Sequence, residues 1–124
     1  MLLVYLLMWD LINMERFFYI GDVAANNISY AWPVESWRGA HPASDTTLNL
    51  YFTPLQEIGL APDKDNDVIT LTLSDNNKHK DVLEAMALEM NSSEKPVITI
   101  IDVDASVTVS RFISSFTITM SSDV

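Results

Sequence analysis

Between Val68 and Asp102 the spacing of apolar residues changes twice, and no other stretch constrains the fold as tightly. VITLTL (68–73) alternates, with Ile69, Leu71 and Leu73 on one face and Val68, Thr70 and Thr72 on the other. That is the period of a half-buried strand. SDNN follows as a turn. KHKDVLEAMALEMN (78–91) then gathers Val82, Leu83, Met86, Ala87 and Met90 on one side of a helix, the only clear helical stripe in the chain. Asp75 or Asn77 is placed to cap its start, and Asn91-Ser92-Ser93 with Pro96 ends it. PVITIID (96–102) is apolar on both faces and reads as a buried strand. If the two strands shared one sheet and ran parallel, the crossover would be right-handed.

The flanking regions add strands. RFFYI (16–20) ends at Gly21-Asp22, ISYAW (28–32) stops at Pro33, and LNLYF (48–52) stops at Pro54. From Pro33 to Thr47 the chain holds Gly39, Pro42, Ser44 and Asp45, which predicts a long surface loop. Residues 53–67 read as a second loop, with one helical turn around Leu55–Ile58. SVTVS (106–110) and SFTITM (115–120) alternate and are predicted to pair with each other, antiparallel. A length of 124 residues bounds this to one domain. The expectation is a single α+β domain over residues 14–124, a mainly antiparallel sheet of five or six strands with one packed helix, preceded by an apolar arm over residues 1–13.

That arm begins MLLVYLLMW, nine apolar residues before the first charge at Asp10. A membrane span needs about 20 such residues. A secretion signal places basic residues before its apolar run and a small-residue cleavage site after it, whereas no base precedes Arg16 and the nearest small residues are Ala24 and Ala25. Two other readings stand. Met14 is a possible start, with residues 1–13 an upstream extension, or the segment packs as an arm. A segment apolar all round must be covered on several sides, and an uncovered patch of that size marks an interaction site. Leu2, Leu3, Tyr5, Leu6 and Trp9 are the candidate docking residues.

Charge narrows the partners. Seventeen acids against seven bases give a net charge of −10, which repels phosphate backbones and anionic membrane surfaces. Neither nucleic acid nor membrane is expected as a partner. The chain has no cysteine, so disulfides, thiolate metal sites and cysteine nucleophiles are excluded.

The candidate catalytic and metal motifs are fragmentary. DKDND sets Asp63, Asp65 and Asp67 at alternate positions like the start of a calcium loop, but Val68 stands where that loop needs glycine and Ser74 where it needs glutamate. A solvated acidic loop is the simpler reading. Asp102 and Asp104 sit two apart at a strand end. They suit either acid–base chemistry or a turn held by carboxylates on backbone amides, and the turn is the stronger reading. His41 and His79 lack metal spacing, and His41, Ser44 and Asp45 lie close in sequence without a nucleophile elbow. With only Gly21, Gly39 and Gly59 a phosphate cradle is not expected. No cofactor and no small-molecule substrate is identified, and the chain is expected not to be an enzyme.

SYAWPVESWRGAHP carries more information. Tyr30, Trp32, Trp37 and Arg38 cluster around Pro33, and Trp and Arg are enriched at binding hot spots. Trp32, Trp37 and Arg38 are therefore further interface candidates. The same rings, with Tyr30, could stack on a sugar, which makes a carbohydrate-binding module the alternative function. The plainer reading puts Trp32 in the core and Trp37 over the base of a loop.

VITLTLSDNNKHKDVLEAMALEMNSSEKPVITIID (68–102) resembles a pattern of small capsid-associated virion proteins of marine cyanophages: a V-I-T-L-T strand, a polar turn, a D-V-x-x-A-M/I-A helix ending in Asn-Ser, and a V-I-T-I-x-D strand. The resemblance covers 35 of 124 residues. It implies a non-enzymatic structural protein of a tailed-phage particle, of cement or clasp type, found in the virion and in the host cytoplasm during assembly. Its implied partners are capsid or other virion proteins in a multi-subunit assembly.

Overall fold

The computed structural model describes residues 15–55, 66–92 and 94–121. They form an α+β fold of eight strands and one long helix. The strands are β1 (Phe17–Asp22), β2 (Ile28–Pro33), β3 (Trp37–Ser44), β4 (Thr47–Phe52), β5 (Asp67–Leu73), β6 (Val97–Asp102), β7 (Val107–Thr108) and β8 (Ile113–Thr119). A single helical turn, α1 (Val23–Asn26), links β1 to β2, and α2 (His79–Ser92) links β5 to β6.

The strands divide into two sheets of four, in the orders β2-β1-β6-β7 and β3-β4-β5-β8. Every pairing is antiparallel except β1 with β6. One apolar core joins the sheets. Phe18, Ile20, Trp32, Ile98 and Ile100 of the first sheet are buried with Leu48, Leu50, Phe52, Ile69 and Leu71 of the second. Aromatic rings bridge them: Phe18 meets Phe52 edge-on at 5.9 Å and Trp37 at 5.7 Å, while Trp32 stacks on Phe52 at 5.2 Å. Such pairs add about 1 kcal/mol each beyond the area they bury.

Helix α2 closes the core with Val82 and Met86, both fully buried, backed by the half-buried Leu83 and Met90. Ala87, on the predicted apolar face, is exposed. At the start of the helix, His79 Nε2 lies 2.7 Å from the Ser44 carbonyl and 3.0 Å from the Thr47 carbonyl. With two acceptors on one nitrogen, Nε2–H is the donor. At the other end Arg16 donates to the carbonyls of Met90, Glu89 and Lys95. The helix is thus tied to the β3–β4 hairpin of one sheet and to the entry of β1 in the other.

The α+β class, the antiparallel sheet structure and the packed helix agree with the sequence reading. The organisation differs from it in three respects. First, eight strands form two sheets where one sheet of five or six was expected, and β5 and β6 lie in different sheets, so α2 carries the chain between layers. Second, residues 37–44 form strand β3 where a loop was predicted. Gly39 and Pro42 are tolerated because β3 lies at a sheet edge and shifts register between Trp37 and Gly39 and again between Pro42 and Ser44. Edge strands and bulges are where sheets accept these residues. Gly39 itself has φ +149°, which a side-chain-bearing residue rarely adopts.

Third, the two threonine-rich segments do not pair with each other: β7 pairs with β6, and β8 with β5. Val109 N donates to Ile100 O and Ser74 N to Phe112 O, so residues 109–112 hand the chain from one sheet to the other. Among the described residues no helix is long and apolar enough to cross a membrane.

Candidate functional site

Most of the sequence-level candidates prove to be fastenings of the fold. Asp67 is 1% exposed. Its Oδ2 accepts Trp32 Nε1–H at 3.0 Å and Leu55 N–H at 2.9 Å, and its Oδ1 accepts Ser121 N–H at 2.8 Å. One buried carboxylate thereby holds β2, the chain after β4 and the chain after β8. Asp63 and Asp65 lie outside the described residues.

Asp104 accepts Val23 N–H at 2.7 Å and Ala24 N–H at 3.2 Å, covering the two leading amides of α1. Asp102 Oδ1 accepts Ala105 N–H at 3.3 Å. Both carboxylates hold turns, by the mechanism that favours aspartate there. Asp22 is also buried. Its Oδ2 accepts Asn26 Nδ2–H at 2.6 Å, and its Oδ1 has no hydrogen-bond partner among the described residues. No group of three His, Cys, Asp or Glu side chains gathers at metal-binding distance among the described residues.

The aromatic cluster is taken apart by the fold. Trp32 is fully buried, so it can neither face a partner nor stack on a sugar, and its place among the interface candidates is corrected. Trp37 is half-buried, its edge against Phe18 and its Nε1–H on Gly39 O at 2.9 Å. Tyr30 is half-buried beside Trp32. Arg38 is exposed, with Nε on Thr53 Oγ1 at 3.1 Å and Nη1 on Asn66 Oδ1 at 2.9 Å. Sheet membership explains the split: Tyr30 and Trp32 share one face of β2, their rings 5.8 Å apart, while Trp37 and Arg38 belong to β3 of the other sheet, so residues clustered in the sequence do not make one surface. Leu2, Leu3, Tyr5, Leu6 and Trp9 lie outside the described residues.

The surface feature that does suit a partner was not singled out from the sequence. Strand β7 covers only the last part of β6, with Ile101 opposite Thr108 and Asp102 opposite Val107. One more backbone bond, Val109 N to Ile100 O, ends that coverage. Beyond it no strand among the described residues lies outside Val97, Ile98 and Thr99. A groove of about 170 Å³ opens there, lined by Val97, Ile98, Thr99, Val107, Thr108 and Val109 with Glu89 of the helix and Lys95, a lining more polar than apolar. Val97 is 45% and Val107 46% exposed. The sequence reading placed all of residues 96–102 in a buried strand, yet only Ile98, Ile100 and Ile101 are buried. The signal was present, because a strand apolar on both faces asks for cover on both, and here one end of it has none.

Arg16 connects this groove with the opening segment. Its guanidinium bonds the carbonyls of Glu89 and Lys95, two residues that also line the groove. Phe17 N donates to Pro96 O at 2.9 Å, one residue before Val97. The chain therefore enters the fold at the Val97 end of β6, on the β1 side and across β6 from the open edge, after fourteen residues dominated by apolar side chains. Compared with known protein families, with curated proteins and with solved structures, the chain matches none.

Proposed function

We propose that this protein is a non-enzymatic structural component of a tailed-phage virion, associated with the capsid in a cement or clasp role and acting through protein–protein contacts. The observation that carries the reading is the open edge of β6 at Val97–Thr99, where Val97 and Val107 are exposed beside a groove, in a chain whose sequence opens on an apolar segment. An open edge offers backbone donors and acceptors to an added strand, and the valines beside it supply apolar contact. The resemblance of residues 68–102 to small virion proteins supplies the particle. The net charge of −10 suits protein rather than nucleic-acid partners inside it.

Incorporation tests the proposal. The full chain should co-sediment with intact particles through a density gradient at fixed stoichiometry, and Val97→Lys with Val107→Lys should reduce that incorporation at least several-fold. Particles that form fully and contain none of the chain would overturn the virion role. Unchanged incorporation of the double variant would remove the groove from it.

A further inference from the structure

We propose that β8 is a self-association edge: two copies of this chain pair β8 against β8, antiparallel, and join their β3-β4-β5-β8 sheets into one continuous sheet. A strand paired in this way with its own copy is related to it by a two-fold axis. The surface lies on the other sheet from the β6 edge, so this inference stands apart from the virion reading.

A comparison of the sheet edges selects β8. Sheets guard an edge with proline, bulges, charge or a short strand. Edge strand β3 carries Gly39, Pro42 and two register shifts, β7 is two residues long, and β2 ends on Pro33, which has no N–H to offer. Strand β8 has none of these guards over Ser115–Thr119. It pairs there with β5 residue for residue, contains neither proline nor glycine, and has no strand on its far side among the described residues.

Charge and pairing name the occupant. Each chain carries −10, so two copies meet most easily where neither brings charge. No residue between Arg111 and Asp123 is charged, β4 has no charge, and β5 has only the buried Asp67. The sheet of β2 instead carries Asp22 and Asp102 on its strands. Strand β8 also fits itself. Phe116 and Ile118 lie opposite the buried Leu71 and Ile69 and so share the core-facing side, yet both are only half-buried at the edge. With the axis at Thr117, Phe116 of each copy opposes Ile118 of the other, and Thr117 opposes Thr117. Aromatic with β-branched and threonine with threonine are favourable cross-strand pairs. The apolar pair extends each core over the junction, while Ser115, Thr117 and Thr119, all exposed, keep their side chains in water.

The absence of cysteine makes the test clean. Directly opposed residues of antiparallel strands sit about 5 Å apart at Cα, within disulfide reach. In the full chain, Thr117→Cys, oxidised and run without reductant, is therefore expected to give a covalent pair of 13.9 kDa chains. His41→Cys, also exposed but on the bulged edge β3, is expected to stay single. No linkage at Thr117, or equal linkage at both positions, would overturn the proposal. Hydrogen exchange reads the same edge without a new bond: the β8 amides of the full chain are expected to exchange at least about tenfold more slowly at high protein concentration than at low. Thr117→Lys, which sets like charges on the axis and leaves the melting curve in place, is expected to abolish that slowing, and mixing it with Thr117→Asp to restore it. Exchange at β8 that ignores concentration would show the edge to be covered some other way or left open, and would overturn the pair independently.

Discussion

The indole Nε1–H of Trp32 donates to Asp67 Oδ2 at 3.0 Å, across the interior from β2 of one sheet to the first residue of β5 in the other. Both residues are buried, at 0% and 1% exposure. Asp67 also accepts the amides of Leu55 and Ser121, so its removal leaves three donors without their acceptor. Asp67→Ala is expected to lower unfolding stability by about 3 kcal/mol or more, and Asp67→Asn by less, since the amide keeps one accepting oxygen. Urea unfolding of the two variants measures this. A loss below about 1 kcal/mol for the alanine variant would show the carboxylate to be a bystander.

Helix α2 offers a paired comparison. Met86 is fully buried among the core residues and Leu88, two positions on, is 65% exposed. Met86→Ala is expected to cost about 2–5 kcal/mol, through lost apolar contact and the cavity left behind. Leu88→Ala should stay within about 0.5 kcal/mol of the parent. Thermal melts of both distinguish a helix packed by this face from one packed by another.

Gly39 tests backbone strain without packing. A Cβ built there meets nothing within 4 Å, yet φ is +149°. Gly39→Ala is therefore expected to destabilise by about 1–3 kcal/mol with no steric clash. If the variant melts like the parent, β3 does not need its bulge at this residue.

At α1, Asp104 accepts two amides. Asp104→Ala is expected to cost about 1 kcal/mol, the usual penalty for losing a helix-start acceptor, with Asp104→Asn recovering most of it. Hydrogen exchange at Val23 and Ala24 reads the effect locally: faster exchange in the alanine variant is expected, and unchanged protection would contradict the cap.

Particular residues show what the sequence made legible. VITLTL displayed its inward face directly, and Ile69, Leu71 and Leu73 are buried as the alternation required. The helical stripe likewise placed Val82 and Met86 in the core. Sheet membership was not legible, because alternation assigns faces and leaves partners open, so β7 and β8 could be imagined as a hairpin while they sit in different sheets. Gly39 and Pro42 disguised β3, since the residues that mark loops are also those tolerated at bulged edges. Trp32 and Trp37 looked like one surface from their spacing, and the fold separates them into a buried ring and a half-buried one. The groove was hidden for a related reason: it depends on how short β7 is, which no residue pattern near Val107 announces.

The central claim is that the apolar opening segment is an association device. Light-scattering mass after size exclusion, on chains beginning at Met1 and at Met14, tests it most directly. The longer chain is expected to run as an assembly of more than two copies, more tightly at high salt because its copies each carry −10 and screening weakens their repulsion, while the shorter chain runs as the β8 pair alone. Two species of equal copy number would contradict the claim, and the segment would then serve its own fold.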